Sequence, residues 1–204
     1  MAKELKYTSS IKSMPLMFSE MKRTALLLCE GKMANEILQL SLEKNIYQFN
    51  NDKWRREVPL RMIKRLSTIG TPLLKILAHG TLDEAKLVTF LAFMKSDRLL
   101  YEFMREVYLD KAQVGYDEIS DIDFVQFFDR KVSNSDTVAK WKTDTLKAIH
   151  TKIKNTLCDA GLAKRNKNKH RNNLLILRPI YTEDICMQLE EQDRIYAKAM
   201  LLEV

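Results

Sequence analysis

Apolar residues recur every three to four positions along most of this chain, the period of an α-helix with one buried face. Residues 16–30 set Met17, Met21, Ala25 and Leu28 on one side, and Gly31 ends the run. After Lys32 the period resumes through Ile37, Leu38, Ser41 and Leu42, so residues 16–47 form a helix-turn-helix candidate. Asp52 is a plausible N-cap for a stripe of Trp54, Val58, Met62, Leu66 and Ile69, with Pro59 expected to kink or divide the helix. Thr71-Pro72 opens a short helix that Gly80 closes. Thr81 and Glu84 then form a capping box for residues 82–94. Ser96 is the expected cap of the next helix, whose Leu99, Leu100, Phe103, Met104 and Val107 point to a core.

Residues 112–118, with Gly115 and the first acids of an acidic stretch, read as a linker between units 1–111 and 119–204. In the second unit Phe124, Phe127 and Phe128 mark a short helix. Residues 133–161 fit one long helix with Val138, Trp141, Ile149, Ile153, Leu157 and Ala160 inward and Gly161 as its stop. A basic turn and the β-prone run LLILRPIY follow. A single closing helix then runs from its cap Thr182, with Ile185, Leu189, Ile195 and Met200 on one face. Residues 1–13 read as a loose arm. The expected fold is mainly α: a multi-helical globular protein with two helix-turn-helix-like units, the C-terminal one winged by a short β-hairpin. Five glycines and four prolines are too few for a turn-rich all-β fold, which agrees.

Charge adds a function class to this picture. Residues 140–178 carry eleven Lys/Arg against Asp144 and Asp159, while residues 1–139 are close to balanced and the tail is acidic. A basic helix face next to a basic turn is the electrostatic footprint of a polyanion binder. The candidate double-stranded DNA contacts are Lys140, Thr143, Lys147, Thr151 and Lys154 on the helix, with Lys164, Arg165, Lys167, Lys169 and Arg171 in the turn. A second candidate patch combines Lys32, Asn35 and Lys44 with Arg61, Lys64 and Arg65. Lysine and threonine dominate the stripe where guanine readout favours a bidentate arginine, so phosphate contacts and weak sequence preference are expected. The aromatics fall on apolar faces, unlike the exposed stacking residues of sequence-specific RNA modules. The competing reading is a scaffold whose basic segment meets an acidic protein.

Catalysis finds little footing. The chain holds no phosphate-binding GxxxxGK[ST] loop, no GxGxxG and no HExxH. Cys29, Cys158 and Cys186 are far apart and read as reduced core thiols. His79, His150 and His170 are scattered, so neither zinc nor any other cofactor is expected. The acids Asp117, Glu118, Asp121 and Asp123 lack the ligand alternation and central glycine of a calcium loop. No apolar run approaches the ~20 residues of a spanning helix, and the first residues lack a signal-peptide core. A cytoplasmic protein is expected, and a monomer, since no heptad seam is present.

The strings MFSEMKRTALLLCEGKMANEI, EKNIYQFN, VPLRMIKRL and KTDTLKAIHTKIKNTLCDAGL, spread from Tyr7 to Leu162, resemble the BrxA family of BREX bacteriophage-exclusion systems. The resemblance implies a small, mainly or wholly helical cytosolic protein of a phage-defence operon. It also implies double-stranded DNA binding through helix-turn-helix elements and no enzymatic activity. Implied partners are a methyltransferase, an ATPase and a phosphatase-like protein of the same system. The hairpin departs from an all-helical family expectation.

Overall fold

The computed structural model describes residues 5–166 and 173–202. Its centre is α5 (Leu82–Ser96), in which every residue from Leu87 to Met94 is buried. A helix apolar on all sides has to be enclosed. Around it pack α1 (Phe18–Cys29), α3 (Asp52–Leu66) and α4 (Thr71–His79), with α2 (Ala34–Lys44) outside on α3. The capping box at the start of α5 is present: Thr81 N donates to Glu84 Oε2 at 2.9 Å, and Glu84 N returns a bond to Thr81 Oγ1.

Pro59 does not divide α3, which is helical throughout. A proline at this position leaves the Arg55 carbonyl without its usual amide donor. The buried Ser41 hydroxyl on α2 supplies the missing bond at 2.6 Å. The next helix starts one residue later than expected. Asp97, not Ser96, is the cap and accepts from Leu100 N at 3.0 Å. From there α6 (Arg98–Phe103), a π-helical stretch (Met104–Leu109) and α7 (Asp110–Gln113) follow without a break.

The described part of the expected arm, from residue 5 onward, is not loose. A 3₁₀ turn at Ser10–Lys12 buries Ile11 completely, and Met14 and Leu16 follow it into the core. Arg65 holds this strap from below by donating to the carbonyls of Met14 and Pro15. Tyr7 holds it from the side, its hydroxyl 2.6 Å from Glu102 Oε2.

After Gly115 the chain forms β1 (Glu118–Ile119), α8 (Asp121–Asn134), the short α9 (Asp136–Ala139), α10 (Thr143–Asp159), β2 (Ala163–Arg165) and β3 (Leu174–Ile176). The expected hairpin is therefore present, and it belongs to a three-stranded antiparallel sheet ordered β1-β3-β2. Lys164 sits opposite Leu175, and Ile119 opposite Leu174. Residues 112–118 thus end in a strand and do not hang free. A single apolar cluster runs from Ile11 through Phe90 and Phe124 to Met200, so both sequence units draw on one core.

Two expected helices are interrupted. Residues 133–161 break at Ser135, between α8 and α9, and again at Lys140–Lys142, where Trp141 N bonds back to Val138 O and the backbone of Lys142 is extended. The closing helix breaks at Leu189–Glu190, giving α11 (Glu183–Gln188), a 3₁₀ turn and α12 (Arg194–Ala199). The break turns Tyr196 inward and leaves Ile195, the expected core residue, 44% exposed. It also brings Asp193 into a buried ion pair with Lys95. The three thiols are free and half-buried, and Cys29 and Cys158 pack against the edge of the core.

Candidate nucleic-acid interface

The helix α10 has a clear inner side. Ile149, Ile153 and Leu157 are fully buried there. Gly161 closes it in a left-handed conformation (φ 76°), with Leu162 N reaching back to Leu157 O at 2.9 Å. Four-residue steps place Thr143, Lys147 and Thr151 on the outer side, all exposed and about 6 Å apart along the axis. Lys140 is exposed in the turn before the helix. Lys140 and Lys147 have no ion-pair partner among the described residues.

Four of the expected contacts need correction or restriction. Lys154 is 2% exposed, which removes it from the open face. Its ammonium pairs with Asp121 at the start of α8 and lies 5.3 Å from the Phe124 ring centre. Next to it His150 stacks on Phe124 at 4.1 Å between centroids. Burial, followed by the Lys154 charge, lowers the His150 pKa against the pull of the Asp121 carboxylate 3.2 Å away. In the turn, Lys164 and Arg165 are exposed on β2. Lys167, Lys169 and Arg171 lie outside the described residues.

Arg165 reaches back to α10, donating to Asn155 Oδ1 at 2.6 Å. This extends the outer row of α10 by one more turn. Pattern reading missed Asn155, and it missed the exposed Lys142, the N-cap residue of α10. The signal for Lys142 lay in two similar dipeptides. Ser135-Asp136 and Thr143-Asp144 each pair a small hydroxyl residue with an acid, as helix starts do. Ser135 does cap α9, accepting from Val138 N.

The hairpin is fixed to the body by a buried hydroxyl. Tyr108, in the π-helical stretch, lies 2.9 Å from Leu162 O and 2.7 Å from Leu177 O. These carbonyls sit just before β2 and just after β3. Asn166 and Asn173, at the far end of the described strands, both donate to Glu118 of β1.

The second candidate patch loses Arg65 to the interior. Arg65 is 1% exposed and stacks over Phe93, its guanidinium carbon 3.7 Å from the ring centre. Burial pulls its pKa down to about 9, against the pull of the nearby Asp97 carboxylate. It remains a cation at neutral pH, satisfied by the strap carbonyls. Lys32 is tied to Glu36 at 3.6 Å, and Asn35 accepts from the Glu36 amide. Lys44 and Lys64 are exposed and Arg61 is half-buried. They lie on separate helices, α2 and α3.

The fold and this face define a mainly helical protein with one solvated cationic helix end and side beside a small sheet. Comparison with known proteins assigns it further. The BrxA family model matches residues 5–191. A curated relative from Bacillus cereus (strain H3081.97), described as BREX protein BrxA, is 35% identical over 188 residues, 91% of this chain and 90% of that protein. The chain belongs to the BrxA family. A crystal structure of an uncharacterized protein from Magnetospirillum magneticum has the same fold. Its TM-score is 0.78 at 19% identity, over 98% of this chain and all of that one.

Proposed function

We propose that this protein is a non-enzymatic, double-stranded DNA-binding component of a BREX phage-defence system. It would act beside the other proteins of that system. One observation carries the DNA reading: Lys140, Lys142, Thr143, Lys147 and Thr151 share the open end and side of α10. Asp144 is the one acid in the first turn of that helix. Element order supports it. Helix, β1, α8, α10 and a hairpin with β3 central is the plan of a winged helix-turn-helix, where the later helix enters the major groove. The groups on offer are ammonium and hydroxyl, which suit phosphate oxygens better than base edges. Binding is therefore salt-sensitive and weakly selective.

The test is a gel shift with purified protein on random-sequence duplex DNA in excess EDTA. A shift at low salt is expected, without metal or nucleotide. Absence of any shift, with folding confirmed by circular dichroism, would replace this reading with that of a scaffold meeting an acidic partner.

A further inference from the structure

We propose that the groove between α7 and the end of α12 binds an acidic amphipathic segment of a partner protein. The groove has a volume of about 760 Å³ and includes no residue of α10. Its apolar lining comes from Leu109, Ala112 and Leu202, with Ile195 and Leu201 at the exposed side. Its charged lining is of one sign: Arg178, Arg194 and Lys198. Among the described residues no carboxylate lines it, and Glu191 beside Arg194 is an exposed surface pair at 3.4 Å. Arg178 is held in place by a 3.0 Å bond to the Ala112 carbonyl. Apolar surface rimmed by cations fits an apolar helix face flanked by Glu or Asp. A nucleic-acid backbone would match the cations and waste the apolar lining.

Backbone conformation gives independent support. Leu201 has φ 63°, the left-handed region that a C-terminal cap usually reserves for glycine. The turn is closed by Leu202 N on Ala197 O at 3.0 Å, which buries Leu202. Leu201 is thus a leucine at a position that favours glycine, with its side chain in the groove wall.

The probe is a fluorescein-labelled helical peptide of about four turns, with leucines at i, i+3, i+4 and i+7 and glutamates on its other faces. Polarisation is read on the full chain near physiological salt. Saturable binding is expected, lost when lysines replace the glutamates or serines replace the leucines. Combined Arg194→Glu and Lys198→Glu should weaken it about tenfold or more. Leu201→Gly should weaken it too while leaving the melting temperature unchanged or raised, which a merely structural leucine would not do. Equal binding of the control peptides, or unchanged binding by both variants, would overturn the proposal. So would displacement of the peptide by random duplex DNA together with loss of the gel shift in the charge-reversed variant, which would make the groove a nucleic-acid surface. The proposal does not depend on the DNA reading, because the α10 residues play no part in it.

Discussion

Two basic helices of this chain place their charge differently. Residues 53–65 of α3 hold six Lys/Arg against Glu57, a density comparable to that around α10. In α3 about half of that charge is tied up within the chain, while Arg56 and Lys64 stay exposed. Lys53 pairs with Glu57, Arg55 with Asp52 and the Phe49 carbonyl, and Arg65 with the strap. At α10 the interior takes Lys154 and leaves Lys140, Lys142 and Lys147 in water. Net charge in a sequence window therefore says little about free charge. What decides is which cations stand at the margin of the apolar stripe, where a partner can be built.

The largest effect expected from this contrast is on stability. Arg65→Ala leaves the strap carbonyls and Asp97 without their cation inside the core. It should cost about 3–5 kcal/mol, whereas Lys64→Ala one residue away should stay within about 0.5 kcal/mol. Lys154→Ala should also destabilise, by less, because Asp121 is half exposed and can be solvated. Urea unfolding of the variants measures this. Equal costs for Arg65 and Lys64 would show that the two sides of α3 are not distinct.

A smaller effect is expected at the hairpin. Tyr108→Phe removes one buried hydroxyl from two carbonyls and should cost about 1–2 kcal/mol. The loss should appear as faster hydrogen exchange at Leu162 and Leu177, with the amides of α5 unchanged. Uniformly faster exchange would mean that the tyrosine supports the whole core and not the sheet.

The smallest effect is pH-dependent. Burial raises the Glu102 pKa, but hydrogen bonds from Lys131, Tyr7 and Arg98 outweigh it and leave the group below the ordinary 4.5. A lowered carboxylate pKa contributes stability above the unfolded value, and this is lost as pH falls through the folded one. His150, also lowered, acts in the same direction: its contribution is present above the ordinary 6.5 and lost as pH falls through its lower folded pKa. The strap around Tyr7 should therefore loosen in acid, below the ordinary glutamate range. Exchange of residues 5–16 across a pH series, corrected for intrinsic rates, checks this. Loosening as pH rises would contradict it.

Much of the fold was legible in the chain because its signals are local. The Thr81–Glu84 box, the Thr71-Pro72 start, the Gly161 stop and the LLI strand each depend on a few neighbours. The breaks at Lys140–Lys142 and Leu189–Glu190 were not legible from period alone, since the apolar spacing continues across both. Arg65 carried a weak signal: it stands three residues after Met62 and four before Ile69, inside the stripe. Lys131 does the same after Phe127 and Phe128, and it is buried between Glu102 and Glu106. A long cationic side chain at a stripe position goes inward when carbonyls or carboxylates await it there. Those acceptors come from elements distant in sequence, so periodicity does not reveal them. The strap was missed for the same reason, because its partners Arg65 and Glu102 are about 50 and 95 residues away.

The most direct measurement is duplex affinity across a salt series for wild type, for Lys140, Lys142 and Lys147 changed together to Ala, and for Lys44 and Lys64 changed together to Ala. If each of the three α10 lysines neutralises one phosphate, the slope of log affinity against log salt should fall by about 2.7. The α2/α3 variant should keep the wild-type slope. An unchanged slope in the α10 variant, or a larger loss in the other, would contradict the assignment of the DNA face to α10.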